Sequence, residues 1–250
     1  MKFIAIIPAR YASTRFPGKP LAMLGGKPII QRVCEQARAV FDRVLVATDD
    51  TRIAECVDNF GGKAVMTRPD HRSGTDRCFE AYEKAGEDCD VVVNVQGDEP
   101  FIAPQQLKAV CHCFDNPATD IATLVMPFAT TATWDEIANP NSPKVVVGAG
   151  GRALYFSRSV IPYIRGSEHA EWPRRHTFFK HIGLYAYRSE VLKRLTALPP
   201  SPLEMAESLE QLRWLEAGYT ITTAETHTAT IGIDTPADLE RAAQFLTDHP

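Results

Sequence analysis

Residues 2–21 read KFIAIIPARYASTRFPGKPL, and the break inside that stretch decides the fold. Lys2–Pro8 is a short apolar run stopped by a proline, which reads as a buried strand. Arg10, Arg15 and Lys19 then fall four to five residues apart among small residues and Pro17-Gly18, which reads as a flexible loop. Lys27 to Arg38 follows with helical spacing. Strand, loop, helix is the opening of a parallel α/β sheet, in which the loops after the strands gather at one edge and ligands bind there. The loop is also cationic. From Met1 to Cys34 there are six basic residues and no acidic one, although the whole chain carries a net charge of -4. A loop of that shape and charge suits a polyanion, most simply a nucleoside triphosphate.

Moving outward, short β-branched runs recur at 44–48, 64–67, 91–95, 121–126, 144–147, 181–187, 220–222 and 228–233. Helical patterns lie between the early ones, at 29–41, 51–60 and 75–84. The expected fold is an open, doubly wound α/β unit: a Rossmann-like three-layer arrangement with a mainly parallel central sheet and helices on both faces. From about Thr131 the texture changes, with more Pro, Asn and Gly, so one domain over 1–250 is expected. It would have a nucleotide-binding half, 1–130, and an elaborated second half, 131–250. Gly166–Phe179 lacks periodicity and is expected to be a long loop. Ser201 opens a helix expected to run to Ala217, with Gly218 after it. Asp234-Thr235-Pro236 opens a last helix, with Asp234 as its N-cap and Pro236 near its first turn.

Composition narrows the class. At 44% apolar and 23% charged residues, the chain reads as an ordinary soluble globular protein. No apolar run approaches the roughly 18–20 residues of a membrane span, and the short N-terminal apolar stretch is not a secretory signal. Six cysteines are scattered, which reads as free thiols in a reducing cytoplasm. The Cys111-His112-Cys113 cluster has no second pair at zinc spacing. A pI near 6.0 gives no support for general nucleic-acid binding.

Four further segments carry possible chemistry. VLVATDD (44–50) ends a strand in Thr48-Asp49-Asp50, where a carboxylate sits beside a nucleotide or caps the next helix. RSGTDR (72–77) presents Arg72, Ser73, Gly74, Thr75 and Asp76. Its small side chains and open backbone N–H groups suit a base or phosphate, and Thr75 also suits a helix cap. VVVNVQGDEP (91–100) runs a buried strand into Gln96-Gly97-Asp98-Glu99. An acid at the carboxyl end of a central strand is placed to hold Mg2+, and Asp98 is favoured over Glu99. IGIDTPADL (231–239) ends in Asp234, either a second metal ligand or a helix start. In the second half, His181 and Tyr185 share one strand face, Glu210 and Gln211 lie in LEQLR, and Arg158 and Arg165 lie in YFSRSVIPYIR. Each has an ordinary packing or surface role as its alternative.

Taken together, IIPARYASTRFPGKPL, VATDD, RSGTDR, VNVQGDEP, YFSR, HIGLYAYR, SPLE, LEQLR and GIDTPADLE resemble, in order and spacing, the sugar-acid cytidylyltransferases. Within them the set is most similar to the 3-deoxy-manno-octulosonate (Kdo) branch, the CMP-Kdo synthetase family. The resemblance covers nearly the whole chain and is weakest at 166–180. It implies a Mg2+-dependent nucleotidyltransferase that moves CMP from CTP to the anomeric hydroxyl of Kdo and releases pyrophosphate. Arg10, Arg15 and Lys19 would take the phosphates. Lys19, with Arg10, Arg15 and Asp98, would form the catalytic group. Thr48, Asp49, Arg72, Ser73, Gly74, Thr75, Asp76 and Gln96 would line the nucleotide site, and Asp98 and Asp234 would hold Mg2+. Gln96, Arg158, Arg165, His181, Tyr185, Glu210 and Gln211 would face Kdo. The resemblance further implies a cytoplasmic homodimer with dimer contacts from the second half, feeding lipopolysaccharide synthesis.

Three other readings compete. CMP-sialate synthetase would be expected to differ at HIGLYAYR and LEQLR. A GT-A glycosyltransferase usually shows Asp-x-Asp where this chain has Asp98-Glu99-Pro100. A non-catalytic CTP sensor would have no use for a carboxylate pair.

Overall fold

The computed structural model describes residues 1–229 and 231–248. They group into two compact units. The first takes Met1–Lys108, Ala186–Thr196 and the chain from Ala229; the second takes Ala109–Tyr185 and Ala197–Thr228.

The first unit is built on the parallel strands Phe3–Ala9, Val44–Thr48, Ala64–Met66 and Val91–Asn94. The order across the sheet is Val91–Asn94, Phe3–Ala9, Val44–Thr48, Ala64–Met66. Ile4, Ile6, Ile7 and Val91 to Val93 are fully buried, which is why these strands are continuous apolar runs and not alternating ones. Helices Ile29–Arg38 and Thr51–Asn59 carry the chain outward from Phe3–Ala9. Helix Gly74–Ala85 carries it back across to Val91–Asn94. Right-handed crossovers in opposite directions put the first two helices on one face and the third on the other. This is the expected doubly wound unit.

Register fixes where the loops emerge. Ala9 lies opposite Thr48, and Thr48 opposite Met66. The Val95 N–H bonds the Ile6 carbonyl at 3.0 Å. The segments after Ala9, Thr48, Met66 and Asn94 therefore leave the sheet from one edge. Asp50 caps Thr51–Asn59 by accepting from the Arg52 N–H, and Ser73 caps Gly74–Ala85 by accepting from the Asp76 N–H. The capping alternative expected at Thr75 thus falls to Ser73, while Thr75 is buried within 3.4 Å of the Tyr187 hydroxyl.

Two sequence expectations in this unit fail. The strand expected at 228–233 is absent among its described residues; Thr230 lies outside them. Instead the Ile233 N–H bonds the Asp98 carbonyl at 2.9 Å, so this segment docks on a loop and not on a strand. Nor does Asp234 cap the last helix. The Thr235 hydroxyl accepts from the Asp238 N–H at 3.3 Å, and Asp238 returns the bond to the Thr235 N–H at 2.8 Å. That reciprocal box starts the helix Pro236–Asp248 and leaves the Asp234 carboxylate for other partners.

In the second unit, Ile121–Pro127 pairs in parallel with Ile221–Glu225. Lys144–Val147 and Ala153–Ser157 form an antiparallel pair with a bulge at Val146/Val147, and Phe179 starts a third strand opposite Val145. The long loop expected at 166–179 contains the helix Trp172–Arg175, and Trp172 and Phe178 are buried with Ile137. Four helical residues are too few for periodicity to register. The single helix expected over 201–217 is two, Pro202–Glu207 and Glu210–Glu216, with Ser208 at φ 50 between them. Arg158 explains the break. Its Nε donates to the Glu207 carbonyl at 2.6 Å and its Nη2 to the Ser208 carbonyl at 3.2 Å, taking acceptors that a continuous helix would use internally.

Candidate functional site

The loops at the sheet edge of the first unit enclose a cavity of about 280 Å³. Arg10 and Arg15 enter it from the loop after Phe3–Ala9. Lys19 follows, just past Gly18, which sits at φ 71. The loop is closed on itself by the Gly18 N–H donating to the Tyr11 carbonyl at 2.9 Å. A Cβ on Gly18 would meet the Tyr11 ring at 3.1 Å, so position 18 needs glycine for both backbone angle and space. The Arg52 guanidinium lies over the same Tyr11 ring at 3.4 Å, which pins the loop to the neighbouring helix.

Arg72, Ser73 and Gly74 form another part of the wall, at the start of the helix Gly74–Ala85. Arg10 and Arg72 make no ion pair or hydrogen bond among the described residues. The cavity thus presents open guanidinium forks beside a helix N-terminus, an arrangement that attracts phosphate.

Gln96, Gly97 and Asp98 supply the floor. Gly97 passes so close to the first strand that a Cβ would stand 2.6 Å from the Pro8 carbonyl oxygen. Only glycine allows that approach, and it delivers Asp98 to the cavity. Asp98 Oδ2 lies 2.7 Å from Lys19 Nζ, and Asp234 Oδ1 lies 3.2 Å from the same nitrogen. Arg15 Nη2 is 3.2 Å from Asp234 Oδ2. Two carboxylates more than a hundred residues apart in sequence therefore converge on one ammonium. Glu99 behaves differently: burial, and then the Asp98 charge, push its carboxyl up to about 7.

The set of wall residues departs from the sequence expectation. Thr48, Asp49, Thr75 and Asp76 stand outside the wall, while His71 and Arg77, unmarked by the sequence reading, belong to it. Arg77 is buried and donates to Thr67 Oγ1 at 2.7 Å and Asp49 Oδ2 at 3.2 Å. Asp49 Oδ1 is buried without a hydrogen-bond partner among the described residues. Thr48 is buried and accepts from the Asp50 N–H. Arg77 sits in the RSGTDR run, but its burial against Asp49 has no sequence signature.

The residues expected to face the sugar lie in the second unit. His181 Nε2 is 3.0 Å from Thr123 Oγ1, whose own proton goes to the Leu184 carbonyl at 2.8 Å. A hydroxyl has one proton to give, so the imidazole carries its hydrogen on Nε2. Burial pushes His181 down to about 4, so the ring is neutral at physiological pH. It lies beside Tyr185, which packs edge-on against Trp214. Gln211 is buried, and its Nε2 has no hydrogen-bond partner among the described residues. Glu210 accepts from Arg213 Nη2 at 2.9 Å. Arg158 spends its donors on backbone carbonyls, including that of Pro140. Arg165 is exposed.

Comparison with known proteins bears on this geometry. A cytidylyltransferase family profile matches residues 4–222. The 3-deoxy-manno-octulosonate cytidylyltransferase of Parabacteroides distasonis is 62% identical over 249 residues, covering 99% of each chain. That of Escherichia coli is 47% identical, covering 98% of this chain and 96% of its own. A solved structure of CMP:2-keto-3-deoxy-manno-octonic acid synthetase complexed with CTP is 45% identical. It superposes with a TM-score of 0.91 over 100% of both chains.

Proposed function

This chain belongs to the cytidylyltransferase family, and on that premise we propose that it transfers CMP from CTP to the anomeric hydroxyl of Kdo. The products are CMP-Kdo and pyrophosphate. One observation carries the reading most directly: Lys19, Asp98 and Asp234 converge inside a cavity that also holds Arg10, Arg15 and Arg72.

The residues divide the work. Arg10, Arg15 and Arg72 hold the β- and γ-phosphates as bidentate or paired donors. Lys19 places a compact charge where negative charge gathers on the α-phosphoryl group as the pyrophosphate leaves. Gln96 reaches the acceptor sugar. On the sugar side, Gln211 offers an amide donor that the described residues leave unused, and His181 and Tyr185 give a neutral, half-apolar wall. Arg165 is free for the Kdo carboxylate. Glu210 acts with its charge shared by Arg213, and Arg158 shapes the wall through the backbone of 207–208. No side chain becomes a nucleophile; the sugar hydroxyl attacks phosphorus in line with the departing pyrophosphate.

The residues also fit Mg2+. Asp98 and Asp234 are hard oxygen donors already gathered about one positive charge, and Mg2+ is commonly held by one or two carboxylates with substrate phosphates completing its shell. Bound there, the ion would supply Lewis-acid stabilisation of the phosphoryl oxygens and favour the ionised acceptor hydroxyl. Among the described residues no helix is long and apolar enough to cross a membrane. We further propose a cytoplasmic homodimer, with dimer contacts from the second half, whose product feeds lipopolysaccharide synthesis.

Pyrophosphate release from CTP, Mg2+ and Kdo, with sialic acid in parallel, tests the reading. Turnover with Kdo alone supports it. CTP binding without turnover on either sugar refutes it.

A further inference from the structure

His71 has no part in the chemistry described so far, yet it is one of the residues lining the cavity that holds Lys19 and Asp98. Its side chain is only 7% exposed, and Nε2 is bonded to the carboxylate of Glu80. Glu80 stands on the helix Gly74–Ala85 and is itself tightly held. Its Oε2 takes the Arg68 N–H at 3.0 Å and its Oε1 takes Lys84 Nζ at 2.7 Å. These bonds outweigh burial and bring its carboxyl down to about 2.

Glu80 is therefore an ionised acceptor throughout the working pH range, and the hydrogen between it and His71 sits on Nε2. A carboxylate fixed in this way sets both the tautomer and the orientation of an imidazole. In the neutral ring Nδ1 is then left as an acceptor. It has no hydrogen-bond partner among the described residues. The cations in the wall, Arg10, Arg15, Lys19, Arg72 and Arg77, can only donate, and the carboxylates of Asp98 and Asp234 are engaged by Lys19 and Arg15. A triphosphate meets those donors, whereas a donor group on the nucleoside needs an acceptor.

We propose that His71 is a nucleotide-positioning residue, its ring locked by Glu80 so that Nδ1 accepts a hydrogen bond from the nucleoside part of the bound nucleotide. The donor is the ribose 2′-hydroxyl or the exocyclic amine of cytosine. The inference rests on the proposed function only in taking CTP as the occupant.

The test is direct CTP binding by calorimetry in the absence of sugar, so that a wrong acceptor sugar does not disturb it. His71→Leu should weaken CTP about tenfold, as for the loss of one buried acceptor. His71→Asn, whose amide oxygen can stand where Nδ1 stands, should recover most of that. In turnover, the KM for CTP should rise with kcat and the sugar KM nearly unchanged. Repeating the titration with 2′-deoxy-CTP and UTP identifies the donor, because the His71→Leu penalty vanishes for the nucleotide lacking it. Nitrogen NMR of the wild-type ring should show an Nε2–H tautomer whose Nδ1 signal moves on CTP addition. Wild-type affinity in a folded His71→Leu protein overturns the proposal. So does an equal penalty with CTP, 2′-deoxy-CTP and UTP, or an Nδ1 signal indifferent to CTP.

Discussion

Replacing Lys19 with Ala should have two opposite consequences, which together separate an electrostatic catalyst from a structural ion pair. The Lys19 side chain is 13% exposed, and its Nζ stands 2.7 Å from Asp98 and 3.2 Å from Asp234. Loss of a preorganised charge of this kind at a reacting phosphoryl group lowers turnover by about 10²–10³-fold. The same substitution removes the cation that holds the two carboxylates. Each contact is partly open to water on the acid side, so each is worth about 0.5–1 kcal/mol. Nucleotide-free enzyme should therefore bind a divalent ion about 5–30-fold more tightly, since a competitor worth about 1–2 kcal/mol has gone. The binding assay is Mn2+ titration followed by electron paramagnetic resonance, the activity assay is pyrophosphate release, and a thermal melt shows that the variant is folded. Turnover within threefold of wild type would remove Lys19 from the chemistry. Unchanged or weaker Mn2+ binding would mean that Asp98 and Asp234 are not a cation site.

Asp98→Asn should abolish Mg2+-dependent turnover while leaving CTP binding measurable; an active variant with the wild-type metal dependence would place the metal elsewhere. Gln211→Leu should stabilise the fold by about 1 kcal/mol, because a buried unsatisfied donor disappears, and should raise the KM for Kdo at least tenfold with little change for CTP. A parallel rise in both KM values would refute the sugar-side role. His181 is pushed down to about 4 in the folded protein against about 6.5 when unfolded. The unfolded chain thus binds the extra proton across that window. Its contribution to stability is intact above about pH 6.5 and falls toward pH 4, by at most about 1.4 kcal/mol per pH unit. The stability difference between wild type and His181→Phe, from denaturant melts, should be constant above about pH 6.5 and change only below it; a pH-dependent difference around neutrality would contradict a neutral ring.

Part of the cavity wall was legible because Arg10, Lys19, Gln96 and Asp98 sit on local signals. Phe3–Ala9 and Val91–Asn94 are unbroken β-branched runs, and parallel pairing gathers the loops after them at one edge. Gly18 and Gly97 mark close backbone approach, and each proves to be a place where a Cβ would collide. The features that were not legible depend on contacts made at long range. The break at Ser208 is written in Arg158, fifty residues earlier. Trp172 reads as part of a loop because its partners, Ile137 and Phe178, lie outside its own four-residue helix. His71 looks like a turn residue until Glu80 is seen to hold it. Asp234 reads as a helix cap because Asp-Thr-Pro is a good helix start. It is released from capping only because Thr235 and Asp238 cap the helix together.

The return of residues from Ala229 onward to the first unit has a consequence for synthesis. The strands and loops that carry Arg10, Lys19 and Asp98 leave the ribosome early, and roughly 120 further residues are added before Ala229 appears. At ~5–20 residues per second that interval is about 6–24 s. During it, Asp98 has Lys19 but no second carboxylate, and the Asp98 carbonyl waits for the Ile233 N–H. The nascent chain thus carries its cationic loop well before its carboxylate pair exists, and the pair closes only as the last segment docks.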